Sequence, residues 1–320
     1  MSKLINDLQK KRINLIVSWI GVGLSCMVVQ SQDLEPRILS PMPINGNFAI
    51  VSYGHSAGNI LLDNTLPIED FNAKLNNIVI GYVRSFKMFS KLTKFDVIVP
   101  YSFGKFNALV ENESVSTTRS GFGDPVFRIS MVLTGVKPMK SPEYFKQEQK
   151  KFIMGIRFRI KPPLGQYNPE NFINLGANRW AFETGVAGSY AISKRIIFET
   201  HLNSWYFTNN NDFFGGNINK QKPIFGVQFH ATYIIKSGIW FALSTGKTMG
   251  GKTEVNGIEK EETQNNIRFG LALAFRINKN NALKVAYTNG FITRLGADFS
   301  TILLGYQIIW FDKIKDPKFD

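Results

Sequence analysis

This sequence of 320 residues predicts an all-β fold: an antiparallel transmembrane β-barrel of about twelve strands behind an N-terminal signal peptide. Three observations lead there. Apolar residues recur at every second position in stretches of roughly ten residues, as strands with two unlike faces require. The connections between those stretches run short and long in turn, and the one long apolar run lies near the N-terminus.

That run comes first in the chain. Lys10, Lys11 and Arg12 precede INLIVSWIGVGLSCMVV, and a polar QSQ follows with small Ser31 at the cleavage point. The order basic, apolar, polar is that of a secretory signal peptide, so 1–31 is read as leader and 32–320 as one barrel domain. A signal anchor is the alternative, although the run is short for the roughly 20 residues of a spanning helix. The single cysteine, Cys26, lies within it, and Gly23 stands three residues earlier where a lipidation signal would carry an apolar side chain. Cleavage would leave an exported chain with no disulfide framework.

From Asn47 onward twelve strands are expected, over 47–54, 76–87, 92–104, 124–135, 151–162, 179–192, 195–208, 223–235, 238–247, 265–277, 281–290 and 299–311. The fourth is introduced by SGFGDP at 120–125, which has the glycines of a phosphate-binding loop. Such a loop needs a helix after it to present free N–H groups to the anion. Here Pro125 holds Asp124 extended, and Phe127, Ile129, Met131 and Leu133 alternate with Arg128, Ser130 and Val132, so the turn aims a strand. In the fifth, FIMGIRFRIK, Phe152, Met154, Ile156, Phe158 and Ile160 share one face, and Arg157, Arg159 and Lys161 the other. FGVQFHATY sets Phe225, Val227, Phe229, Ala231 and Tyr233 against Gln228, His230 and Thr232. IRFGLALAFR sets Ile267, Phe269, Leu271, Leu273 and Phe275 against Arg268, Gly270, Ala272, Ala274 and Arg276.

A water-soluble sandwich would alternate in the same way, so the connections decide. Those at 193–194, 236–237 and 278–281 are tight, whereas 163–178, 209–222, 248–264 and 291–298 are long and rich in Asn, Gly, Lys and Glu. Short turns on one rim and long loops on the other is the layout of an outer-membrane barrel. The segment 136–150 is long where a short turn is expected, and reads as a small helix or a hairpin extension. In hydrocarbon every backbone polar group must pair within the protein, and closing the sheet removes its edges. Apolar side chains then face lipid and Arg128 faces the lumen. Near the C-terminus Gly305, Ile308 and Trp310 have the order of a barrel-assembly signal, although Asp312 to Asp320 continue beyond it.

The formal net charge is +14; the leader's four basic residues against Asp7 account for three, leaving +11. These charges are scattered along strands with no basic helix or zinc-finger spacing to focus them, so nucleic acid is not the expected partner. Instead the inward face is expected to collect Arg128, Arg157, Arg159, Lys161, Arg268, Arg276 and Lys284 against Asp96 and Glu199. Two outcomes are open: a basic constriction favouring anions, or neutralisation by loop acids such as Glu111, Glu113, Glu254, Glu259, Glu261 and Glu262.

His201 and His230 also fall on polar faces, and a hairpin about 209–222 with pairing sums near 431 would set them directly opposite, beside Glu199. A lumenal hydrogen-bond cluster is the plain reading of that pair, and a metal or acid–base site the sharper one. No cofactor, metal or catalytic residue is assigned. Phe213 and Phe214 in FTNNNDFFGG suit an interfacial girdle or a solute-greeting surface better than calcium ligation, for which only Asp212 is acidic. Asn256-Gly257 marks a hairpin tip.

Several stretches, in order along the chain, resemble the bacterial family named for a MetA pathway of phenol degradation: GFGDP at 121–125, PPLGQYNPENFINLGANRWAFETGVAGSY at 162–190, FTNNNDFFGG at 207–216, KPIFGVQFHATYII at 222–235, GIWFALSTG at 238–246 and QNNIRFGLALAF at 264–275. The resemblance implies a transporter-like barrel in the outer membrane of a Gram-negative bacterium, passing small solutes, and carries over no binding residues. The sequence-level expectation is therefore a porin-like barrel for passive passage of small anionic or aromatic solutes. Its partners would be membrane lipids, the solute and the barrel assembly machinery. A structural or adhesive barrel with a plugged lumen, or a barrel enzyme centred on His201 and His230, are the competing classes.

Overall fold

The computed structural model describes residues 34–62, 68–144, 150–260 and 263–312. The expected leader, with Cys26, and Glu261, Glu262 and the residues beyond Asp312 lie outside the described residues. The wall is built from β1 (Gly46–Leu61), β2 (Ile68–Met88), β3 (Lys91–Val110), β5 (Val126–Thr134), β6 (Phe152–Lys161), β7 (Ala181–Ala191), β8 (Ile196–Phe207), β11 (Ile224–Lys236), β12 (Ile239–Gly250), β15 (Gln264–Arg276), β16 (Asn281–Ile292) and β17 (Gly296–Phe311). Each pairs antiparallel with the next, and β17 pairs along the whole of β1, from Gly46 opposite Phe311 to Leu61 opposite Gly296. The ring is thus closed and contains the twelve expected strands. Its edges vanish, as a wall in hydrocarbon requires.

Period-two alternation survives in every segment where the sequence is clear. Ile156, Phe229, Leu243, Leu271 and Ile302 are exposed on the outer surface, while Arg157, His230, Ser244 and Ala272 between them are buried. Aromatic pairs mark both rims: Tyr82 and Trp310 at the short-turn end, Trp180 stacked on Phe182 at the loop end. That distribution is the girdle of a membrane barrel.

The loop end differs from expectation in three ways. First, β4 (Glu113–Phe122) was not anticipated; it pairs with the outer half of β3, Tyr101–Val110, while β5 takes Thr93–Ile98. The exchange falls around Pro100, which has no N–H to offer a ladder. Second, the expected long loops 209–222 and 248–264 fold into a small sheet of β9 (Asn210–Phe213), β10 (Asn217–Gln221), β13 (Thr253–Val255) and β14 (Ile258–Glu259). Third, 291–298 is mostly strand, and only Thr293–Leu295 turns between β16 and β17. Phe213 is buried and Phe214 packs edge-on against Phe172 at 5.6 Å, so these rings hold loops together instead of greeting a solute. Asn256 and Gly257 do adopt positive φ, 48° and 85°, at the β13–β14 tip.

GFGDP acts as a structural staple. Asp124 is buried and its carboxylate accepts the N–H groups of Gly165 and Ala177, at 2.8 Å each, anchoring the 162–180 loop over the mouth. A Cβ on Gly165 would stand 2.6 Å from the Asp124 nitrogen, so only glycine allows this approach. At the other rim 136–150 contains the one-turn helix α1 (Ser141–Tyr144).

Among the described residues, apolar clusters fill both ends of the ring. Ile60, Phe71, Ala73, Leu75, Phe106 and Phe299 fill the loop end beneath Phe172 and Ile173. Leu39, Met42, Leu92, Val132, Ile153 and Ala187 fill the turn end. Leu39 and Met42 belong to no strand: residues 34–45 run into the lumen from the short-turn rim before β1 begins.

A candidate lumenal site built around an arginine clamp

Strand register places four charged residues in one row across the wall. Asp96 of β3 stands opposite Arg128 of β5, Arg128 opposite Arg159 of β6, and Arg159 opposite Glu183 of β7. Like charges directly opposite repel, so the Arg128–Arg159 neighbours need an acid between them. That acid is Glu35, from the segment inside the barrel. Its Oε2 accepts Arg128 Nη1 at 2.7 Å and Arg159 Nη2 at 2.6 Å, with Arg157 Nη1 at 3.7 Å. Arg128 also donates to Asp96. Glu183 is wholly buried; it accepts hydrogen bonds from Arg157 Nη2 at 2.6 Å and Asn203 Nδ2 at 2.8 Å, and forms an ion pair with Arg159 Nε at 2.8 Å.

Glycines make this crowding possible. Gly185 lies opposite both Arg157 and Asn203, and a Cβ there would press on the Arg157 side chain at 3.1 Å. The segment itself seats in similar hollows: Leu34 lies over Gly246 and Gly270, and Leu39 over Gly155, where added Cβ atoms would come within 2.8–2.9 Å of the two leucines. Polar wall groups grip its backbone as well. Glu199 accepts the Arg37 N–H at 2.6 Å, and Lys94 Nζ donates to the Ile38 carbonyl at 2.5 Å. At the rim Ser85 Oγ accepts the Gly46 N–H and donates to the Pro43 carbonyl, fixing where the segment turns inward.

The histidines come together, though not in the expected register. His201 faces Gln228 and His230 faces Glu199, a pairing sum of 429, so the hairpin has slipped by two residues and kept its faces. The rings approach diagonally, with His230 Nε2 at 3.3 Å from His201 Nδ1 and His230 Nδ1 at 2.8 Å from Ser244 Oγ. Among the described residues no group of three or more His, Cys, Asp or Glu is placed to hold a metal.

Of the other residues expected inside, Lys161 is buried at the end of β6, and Arg268 Nη2 donates to the Phe299 carbonyl at 2.6 Å. Lys284 lies opposite Ala274 and Gly305, on the inward face of β16. Arg276 is exposed at the turn end of β15. Asp96 meets Arg128 as an inward acid, as anticipated, but the other counter-charges are not the expected loop acids. Glu254 and Glu259 pair with Lys220, Lys222 and Lys252 in the outer sheet, Glu111 and Glu113 are exposed, and the arginines are met by Glu35, Asp96 and Glu183. Glu183 escaped notice because AFETGVAGSY alternates weakly, with Thr184 outside and Ala187 inside; Glu35 lies outside every strand. Glycines on the inward faces of strands were the available signal that something packs against them.

A cavity of about 490 Å³ opens at the short-turn mouth, bounded by Arg37, Leu39, Lys151, Ile153, Ser189 and Glu199. At the loop end a second, of about 700 Å³, is lined by Ile60, Leu62, Phe71, Asn72 and Arg294 among others.

Among solved structures the fold is similar to that of an outer membrane channel from Pseudomonas putida F1, with a TM-score of 0.74 at 18% identity over 87% of this chain and 100% of that one. Weaker likenesses include the β domain of the Bordetella autotransporter BrkA, at TM-score 0.48, 12% identity, 83% of this chain and 99% of that one. The KdgM porin follows at TM-score 0.41, 8% identity, 81% and 98%. No curated protein matches the chain by sequence. A family model does match, over residues 53–298, which takes in most of the wall and the His201–His230 pair: the chain belongs to the family described as "Putative MetA-pathway of phenol degradation".

Proposed function

We propose that this barrel is a passive outer-membrane channel for small solutes, closed at rest by residues 34–45. One observation carries the reading: the band at mid-barrel is made of buried charges gripping a segment that is not part of the wall. A purely structural barrel gains little from such a band, because desolvating ion pairs costs about as much as their attraction returns, and apolar packing would serve as well. The segment is held by side chains and a few backbone hydrogen bonds, and ladder pairing of the wall begins only at Gly46. Its withdrawal would leave every backbone group of the ring paired. The P. putida channel supports the reading by fold, and the family name points to small aromatic molecules. Because the arginines are matched by acids while Glu35 is in place, the resting lumen is not a strongly anion-selective pore.

Liposome swelling with arabinose and with a neutral aryl glucoside tests this on the whole chain and on a form lacking residues 34–42. Slow swelling that rises several-fold on deletion is expected. Folded barrels that pass neither solute in either form would leave the plugged, structural barrel as the answer.

A further inference from the structure

The arginine clamp has the chemistry of a carboxylate receptor. Guanidinium forks are matched in shape and charge to carboxylates, and here Arg128, Arg157 and Arg159 converge on one oxygen of Glu35. Within this cluster the wall supplies two acids, Asp96 and Glu183, for three arginines. The third negative charge comes from the removable segment. Lys94 and Lys284 add to the positive field; Glu199, which loses the Arg37 N–H when the segment leaves, offsets one of these two lysines, Lys94. Withdrawal of residues 34–45 therefore leaves a buried cationic site lacking one carboxylate.

Leu39 marks what would lie beside that carboxylate. It occupies a hollow formed by Gly155, Val132, Ile153 and Ala187. Gly155 is two residues from Arg157 on the same face of β6, about 7 Å along the strand. That spacing suits a carboxylate carried on one compact apolar group, such as a phenyl ring.

We infer that Arg128, Arg157 and Arg159 are a binding site for monocarboxylates with a compact apolar body, which Glu35 and Leu39 occupy in cis and an incoming solute displaces. The inference rests on the channel reading for its purpose, but its binding chemistry can be tested separately. A site blocked by a tethered competitor shows an affinity reduced by the fraction of time it is vacant.

Calorimetric titration of benzoate into the full chain in detergent should show weak binding for wild type and at least about 10-fold tighter binding for Glu35→Gln, with Glu35→Asp close to wild type. Adding Arg128→Gln and Arg159→Gln to Glu35→Gln should abolish the gain. Benzyl alcohol, which has the ring without the charge, should bind all forms alike. Equal benzoate affinity in wild type and Glu35→Gln overturns the inference, as does an equal gain for benzyl alcohol. If the arginine variant does not fold, the Gln and Asp forms still decide, since a gain shared by both would signal segment release rather than an emptied carboxylate site. Swelling by the aryl glucoside without a benzoate effect leaves the channel standing and removes this site; benzoate binding without swelling does the reverse.

Discussion

Replacing Glu183 by glutamine keeps its volume and removes its charge at the most enclosed point of the clamp. One carboxylate oxygen accepts Arg157 Nη2 at 2.6 Å, Arg157 Nε at 3.0 Å and Asn203 Nδ2 at 2.8 Å, and the other forms an ion pair with Arg159 Nε at 2.8 Å. Glutamine retains one acceptor oxygen and turns an amide N–H₂ toward a guanidinium. Hydrogen bonds to charged groups contribute about 1.5–3 kcal/mol each, and removing one partner of a buried pair costs about 3–5 kcal/mol because the other charge is left uncompensated. Glu35 meets part of the remaining charge but lies 3.7 Å from Arg157. We therefore expect Glu183→Gln to destabilise the barrel by about 3–5 kcal/mol. Reversible urea unfolding in lipid, followed by tryptophan fluorescence, reads this directly, since Trp205 stands opposite Glu183 on β8. Combining Glu183→Gln with Arg157→Gln should recover part of the loss, as coupled neighbours do. A loss below about 1 kcal/mol for the single variant would refute the view that these charges are desolvated and mutually dependent.

Phe269→Arg puts a cation on an outward position half-way along β15 that is 47% exposed and packs on Phe291; at the bilayer midplane this costs about 2–4 kcal/mol, and the heat-modifiable folded band should fall relative to Phe269→Leu. In intact cells a membrane-impermeant maleimide should label Asn211→Cys in the outer sheet and spare Lys194→Cys in the β7–β8 turn; the opposite pattern would invert the topology. Hydrogen bonds from Lys222 and Lys252 hold the Glu259 carboxyl down to about 2. A carboxyl depressed on folding contributes stability that is present above its unfolded value and lost as pH falls through the folded one. Protease resistance of the outer sheet should thus be level from pH 7 to about pH 5, decline between about pH 4 and pH 2, and lose this step in Glu259→Gln.

The sequence by itself determined the strand set and the two faces of the wall. Every one of the twelve expected stretches is a wall strand, with bounds that match within a few residues except where β1, β2 and β3 extend past the membrane at the loop end. Alternation is legible because the side chains of one strand obey a period of two whatever their partners are. Hence Arg157 and Arg159 could be placed on one face of FIMGIRFRIK from ten consecutive letters.

Tertiary structure alone decided what those faces meet. The His201–His230 hairpin slipped by two residues, a shift that leaves every face unchanged and is therefore invisible to periodicity. Ring closure brings Glu35 to Arg128, 93 residues away, and to Arg159, 124 residues away, and no local pattern encodes contacts of that span. Composition suggested a lumen with excess positive charge. The fold instead brings in Glu183 from a weakly alternating strand and Glu35 from a segment with no strand pattern at all, because buried arginines must find acids and only the closed ring determines which are within reach.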